Sequence, residues 1–298
     1  MAIYSISDLS KLSGVKAHTI RAWETRYALI EPKRTPTNIR FYQDEDLKKL
    51  LGIAMLNRHG MKISKIAKLD EQQRAEAISK ISSISFQPDT QLDALTLSMI
   101  ELDEFKFSHI LNTNIEQLGF EKTMLEVIYP FLDKLSLLWL TGSVSPVQEA
   151  FISQLIRQKI ISATDRLPPL DTGSEPTVVL YLREEERQEL TALFAHFMLR
   201  QRGVRSIYLG HDISITDLVD AHRFAKPNYF FTILSKNTDQ QPATVYIKQL
   251  LRQFPNVDLL LTGYQAMVSK PPAGEERVHI LRSLQETVDF FDQLKPSN

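Results

Sequence analysis

The chain of 298 residues has no cysteine. This excludes disulfide frameworks, thiolate metal sites and cysteine nucleophiles, and it agrees with a reducing compartment. No apolar run approaches the roughly 18 residues that a membrane helix requires. The N-terminus lacks the basic-then-apolar order of a secretory signal, so a cytoplasmic protein is expected. Internal repeats, low-complexity tracts, glycine-rich phosphate loops and Gly-x-Ser-x-Gly elbows are all missing. His196, His211, His222 and His279 lie too far apart in sequence to form a spaced metal motif. Glu184, Glu185, Glu186 and Glu189 form an acidic run that reads as the solvated first turn of a helix, favoured there by the helix dipole. No catalytic residue or metal ligand emerges, and the chain is expected not to be an enzyme. Net charge is nearly missing as well, with 35 basic against 36 acidic residues.

That balance conceals an asymmetry. Residues 1–69 hold 13 Lys+Arg against 6 Asp+Glu, which leaves 22 against 30 for the rest. A polyanion binder with a regulatory remainder has this distribution. Within the basic part, Lys16 to Tyr42 stands out. Ala17, Ile20, Trp23 and Tyr27 recur at helical spacing and are expected to face a core. His18, Arg21 and Thr25 fall on the opposite face, with Thr19 and Arg26 beside them. Arginine bonds a guanine edge bidentately, and arginine, lysine, histidine and threonine all hold phosphates. Ahead of this helix, Ser7 to Leu12 reads as a short amphipathic helix with a capping serine. Ser13-Gly14-Val15 then forms the tight turn of a helix-turn-helix. Behind it, Pro32, Pro36 and Asn38 break helix, and Ile39-Arg40-Phe41-Tyr42 alternates like a strand. Lys33, Arg34 and Arg40 would ride on this wing. The nominated DNA-binding residues are Lys16, His18, Thr19, Arg21, Arg26, Lys33, Arg34, Arg40 and Tyr42.

Thr19 to Glu24, Arg26 to Ile30, Pro32, Arg34 and Arg40-Phe41-Tyr42 resemble, in type and order, the N-terminal domain of MerR-family transcription regulators. Asp44 to Leu47 and Gly60 to Ile66 continue the resemblance across about the first seventy residues. Ala28 departs from it where a glycine is usual, and Lys16 where an N-cap serine or threonine is common. The resemblance implies a winged helix-turn-helix head, residues 1–70, that binds double-stranded DNA as a dimer or higher homo-oligomer.

Two further helices are expected in 43–69, with Leu47, Leu50, Leu51, Ala54 and Met55 buried and Gly60 ending the first. Residues 71–89 read as a helical linker breaking near Pro88, with too few heptads for a dimer coiled coil. Residues 90–167 read as a four-helix bundle, with helices near 90–101, 103–118, 120–140 and 145–164, Asp103 and Ser145 as N-caps and Pro146 in a first turn. Prolines and polar residues in 168–176 mark a second linker. Across 177–298, short apolar runs at Thr177–Leu182, Val204–Gly210, Tyr229–Leu234, Val257–Thr262 and Val278–Leu281 alternate with helix-length segments. This is the pattern of a doubly wound parallel sheet in flavodoxin-like order, with its crevice at the carboxyl ends of the strands. The fold class is therefore multidomain, α and α/β.

A bundle followed by such a sheet resembles the cobalamin-binding module of methionine synthases, and more closely the light-sensing MerR-type regulators of the CarH and LitR kind. The resemblance implies that Trp139 and Glu149 match the element over the upper corrin face, with Ala150 where a histidine is usual. It sets Glu186 to Thr191 on the family's Asp/Glu-x-His-x-x-Gly, so Gln188 stands where the lower cobalt ligand would be and Thr191 where a glycine leaves room for the nucleotide tail. Ser235 keeps the serine after the third strand, and Thr262-Gly263 stands for a pair of glycines. Glutamine is a poor ligand for cobalt beside imidazole. Trp139, Glu149, Gln188, Ser235 and Gly263 thus read as a vestigial or altered cofactor site, and no cofactor is expected. The chain reads as a sequence-specific transcription regulator whose C-terminal module oligomerises and regulates, through a protein partner or small-molecule effector. A second reading is a corrinoid or small-molecule sensor, light-responsive or not, that uses the C-terminal pocket with cobalamin.

Overall fold

Ser5 caps the first helix by accepting the Asp8 N–H at 3.2 Å while Asp8 accepts the Ser5 N–H at 2.8 Å, so both partners satisfy free donors at the helix start. The helix, α1 (Ile6–Ser13), ends at Gly14 with φ +67°. The turn delivers the chain into α2 (Ala17–Tyr27), whose last carbonyls are closed by Ala28 in the left-handed region at φ 48°. The structure is a computed structural model. It describes residues 4–34, 38, 40–84, 88–139, 144–170, 176–235, 242–269 and 275–296, with the side chains of 79–84, 88–90 and 137–139 outside the described part.

A two-stranded antiparallel wing, β1 (Lys33–Arg34) and β2 (Arg40–Phe41), follows α2, with Arg34 opposite Arg40. Next come α3 (Asp44–Arg58), α4 (Ile63–Ile66), α5 (Glu71–Ile84) and α6 (Pro88–Glu101). Leu47, Leu50, Leu51, Ala54 and Met55 of α3 are all buried, as their spacing requires. Gly52 lets α5 approach closely, because a Cβ there would come within 2.7 Å of Ile78 Cδ1. The bundle continues with α7 (Glu104–Leu118), capped by Asp103, then α8 (Phe120–Thr123), a π turn over Met124–Ile128, and α9 (Tyr129–Trp139). α10 (Pro146–Asp165) starts behind Ser145, whose Oγ accepts the Gln148 N–H. The four expected bundle helices are all present, the third carrying the π turn.

Two compact units result, Met1–Leu155 and Ile156–Asn298. This division differs from the five segments suggested by composition. Head, linker and most of the bundle share one unit because α6 buries not only Leu95 and Met99 but also Gln91, Asp93, Thr96 and Ser98. A helix buried nearly all round packs on α3 as well as on α7 and α9.

The second unit alternates β3 (Thr177–Leu180), α11 (Glu189–Gln201), β4 (Arg205–Tyr208), α12 (Ile215–Ala225), β5 (Tyr229–Ile233), α13 (Ala243–Gln253), β6 (Asp258–Thr262), α14 (Tyr264–Val268), β7 (Val278–Ile280) and α15 (Leu284–Gln293). The five strands are parallel in the order β4-β3-β5-β6-β7, the flavodoxin-like order. On one face Val179, Tyr181, Phe230, Leu259 and Leu261 form a core with Leu218 of α12 and Tyr246, Ile247 and Leu250 of α13. On the other, Phe231 meets Phe291 of α15 edge-on at 5.9 Å between centroids. Each such buried ring contributes about 1.5–3 kcal/mol.

His196 of α11 has Nδ1 2.9 Å from Ser206 Oγ. Burial, and then the charge of Arg200, push its pKa down to about 4 from an ordinary 6.5. The unfolded chain therefore takes the proton first, so stability is full above about pH 6.5 and is lost as pH falls towards 4. Lowering the pH to 5 is expected to cost the second unit up to about 2 kcal/mol by this group. Urea midpoints at pH 7.5 and 5 should differ less in His196→Asn than in the parent, and an equal difference in the two proteins would refute the assignment.

Candidate functional site

Ile20 and Trp23 are buried on the inner face of α2, while Ala17 and Tyr27, expected beside them, are half-buried. Lys16, His18, Arg21, Thr25 and Arg26 are exposed and Thr19 is half-buried on the outer face. Lys33, Arg34 and Arg40 are exposed on the wing. Arg34 Nη1 donates to Asn38 Oδ1 at 2.6 Å, and Lys33 donates to Gln43, so two wing cations are held in place by neutral partners that leave their charge intact.

Tyr42 requires a correction. Nominated as a DNA contact, it is fully buried. Its backbone pairs with Tyr4 through two hydrogen bonds of 2.9 Å, and its hydroxyl donates to Glu24. The hydroxyl of Tyr4 in turn donates to Asp44 at 2.7 Å. Tyr42 closes the wing onto α2 and the segment ahead of α1: β2 ends at Phe41, and the bridge to Tyr4 with the bond to Glu24 holds Tyr42 inward although strand alternation would give it the exposed face of Arg40. Burial first, then Glu24, raise its phenol well above the usual range, while Arg40 and Arg21 pull the other way. Glu24 and Tyr4 are the residues that sequence reading missed. Glu24 lies between exposed positions on the wheel, and Tyr4 precedes any periodic segment.

In the second unit the crevice lies between β3 and β5, where the strand order reverses. Glu186 is buried there, which corrects its reading as part of a solvated first turn. α11 starts only at Glu189, and the preceding loop folds back through Glu185 at φ 65°. Glu186 Oε2 accepts the Ser235 N–H at 2.8 Å and Oε1 the Arg187 N–H at 3.1 Å, so the carboxylate spans the end of β5 and its own loop. Beside it the Arg183 guanidinium sits 5.5 Å from the centre of the Tyr246 ring, and the Tyr246 hydroxyl donates to that of Tyr181 at 2.9 Å. Nothing local in the sequence marks Arg183 and Tyr246 as partners, since they are brought together across β5.

Gln188 is exposed at the N-cap of α11, Thr191 is half-buried in its first turn, and Glu149 is exposed in the first turn of α10. The side chain of Trp139 lies outside the described residues. A Cβ on Gly263 would meet Leu234 O at 2.7 Å and Leu234 C at 2.8 Å, so the missing side chain makes room for protein backbone rather than a ligand. With an exposed amide where the lower cobalt ligand would sit and the adjoining carboxylate committed to backbone N–H groups, this loop does not fit cobalt coordination. Among the described residues no group of three or more His, Cys, Asp or Glu could hold a metal ion, and no helix is long and apolar enough to cross a membrane.

A winged helix-turn-helix with an exposed cationic face, followed by a helical bundle and a flavodoxin-like sheet, defines a DNA-binding protein with a cobalamin-binding-type module. Residues 4–73 match the MerR HTH family of regulatory proteins, and residues 91–162 match the B12 binding domain. The chain is 30% identical over 244 residues to the HTH-type transcriptional repressor CarH of Myxococcus xanthus, covering 79% of this chain and 81% of the relative. It is 22% identical over 231 residues to the HTH-type transcriptional repressor CarA of the same organism, covering 75% and 73%. It is also 33% identical over 69 residues to the HTH-type transcriptional regulator MlrA of Escherichia coli K12, covering 23% and 28%. The chain belongs to the MerR family of transcription regulators, as a CarH-type member that joins a DNA-binding head to a B12-binding domain.

Proposed function

We propose that residues 1–70 read a roughly two-fold symmetric operator as a dimer or higher oligomer, and that the C-terminal module regulates without cobalt–histidine coordination. One head presents one recognition helix, so a symmetric site calls for at least two chains. The DNA contacts proposed are Lys16, His18, Thr19, Arg21 and Arg26 on α2 and Lys33, Arg34 and Arg40 on the wing. The observation that carries the regulatory half is Glu186, buried and bonded to Ser235 N–H beside an exposed Gln188. The activity is binding in the cytoplasm rather than catalysis, with an effector or protein partner acting through the second unit.

A second reading is favoured by the B12 binding domain match over 91–162: a corrinoid held through its apolar face without a histidine ligand. Absorbance separates the two. On the first reading the protein purifies colourless, loses adenosylcobalamin during gel filtration in the dark, and binds its operator equally in light and dark. Stoichiometric corrinoid absorbance co-eluting with the protein, or DNA release on illumination only with cobalamin present, would establish the second reading. Light scattering that finds only monomer, with one chain per half-site, would refute the dimer.

A further inference from the structure

α3 and α6 run antiparallel within the first unit, and each end of their contact carries a carboxylate of α6 shared by two cations. At one end Glu101 takes Lys48 of α3 at 2.8 Å and Lys106 of α7 at 2.7 Å. At the other, Asp93 is paired with Arg58 of α3 and with Lys134 of α9 at 3.1 Å. In both clusters one cation comes from the DNA-binding head and the other from the bundle. Asp93 is 1% exposed, whereas the side chains of Arg58 and Lys48 are 36% and 39% exposed. Burial opposes the charge on Glu101, yet the hydrogen bonds from Lys106 and Lys48 outweigh it and hold its carboxyl below the usual range.

From this pairing we infer that the two clusters form a reversible latch, which fixes the head on the bundle in one register and opens to free it. A lone buried pair would leave an orphan charge on separation, the costly outcome for a buried ion. Here separation strands neither carboxylate. Asp93 keeps Lys134 and Glu101 keeps Lys106, while Arg58 and Lys48 withdraw along stems that already reach solvent. α3 also packs on α1, which carries α2, so the latch sets the direction in which the recognition helix points. A change arriving at α6 from the bundle would thereby reach DNA through the orientation of the head.

The absence of cysteine makes a direct test available in the full-length protein. Spin labels at Ser7→Cys on α1 and Glu116→Cys on α7 should give one narrow distance distribution. Asp93→Asn combined with Glu101→Gln should at least double its width with helix content retained. Lys48→Met combined with Arg58→Met, which leaves each carboxylate its bundle lysine, should do the same and decides the matter if the first variant does not fold. On DNA the second variant should bind the full operator about tenfold more weakly and a single half-site within twofold of the parent, because two freed heads must be oriented anew. An unchanged distance distribution in the folded variants would overturn the latch. A broadened one with unchanged full-site affinity would overturn its link to DNA binding, once sedimentation shows the same sample to be dimeric.

Discussion

Gly263→Ala is expected to lower the stability of the second unit by about 2–5 kcal/mol, which sums a left-handed backbone penalty and an overpacking penalty. The backbone at Gly263 has φ +96°, a region costly for any residue with a Cβ. The added methyl would also lie 2.7, 2.8 and 3.0 Å from the O, C and N of Leu234, atoms of a strand end that cannot rotate away. That strand end is held on both sides. Leu234 N–H bonds Thr262 O at 2.8 Å, and Leu234 O accepts the Gln265 N–H at 2.8 Å. Gly210→Ala is the control. Gly210 has φ +88° with nothing within 4 Å of the added Cβ, so only the backbone penalty of about 1 kcal/mol applies. Thermal unfolding followed by circular dichroism should show a Tm loss for Gly263→Ala several times that of Gly210→Ala. Equal losses would mean that the strand end yields, and that Gly263 is kept for a ligand after all. A clear difference would remove Gly263 from the arguments for a cofactor, since the fold alone demands it.

How far each feature was legible in the sequence depends on whether its partners are local. The α2 wheel put Ile20 and Trp23 inside and Arg21 outside from spacing alone, because a helix converts sequence distance directly into direction. The five strands and their order were legible for a similar reason. Short apolar runs separated by helix-length segments have few right-handed solutions. Tyr42 was misplaced because alternation extends the exposed face of Arg40 to it, whereas β2 ends at Phe41 and the bridge to Tyr4 takes Tyr42 inward. Glu186 was misplaced because the loop turns at Glu185, a non-glycine with positive φ that no propensity would suggest. The head and bundle looked separable because residues 71–89 are polar, whereas the ion clusters at Asp93 and Glu101 join residues more than thirty positions apart. The substitution of Gln188 for a histidine was fully legible, and its meaning became clearer with Glu186 bonded to Ser235.

Arg21→Ala and Arg40→Ala are expected to weaken DNA binding in different ways. Arg21 projects from the exposed face of α2, the element that enters the major groove in a helix-turn-helix, where a guanidinium bonds both acceptors of one guanine. Its removal should cost about 1–3 kcal/mol on the preferred operator and little on sequences that lack that guanine, so preference at one position relaxes. Arg40 stands on β2, exposed and paired across the wing with Arg34, in a ribbon too short to read base edges. Its removal should weaken all sequences alike and reduce the slope of log affinity against log salt by about one per chain, the signature of a lost phosphate contact. Neither change touches the buried Ile20, Trp23 and Tyr42 that hold helix and wing together, so folding should be unaffected. Titrations of operator and single-substitution sites at several salt concentrations distinguish the two roles. If Arg21→Ala lowered all sequences equally and flattened the salt slope, α2 would be gripping phosphates rather than bases, and sequence reading would have to move to another face of the head.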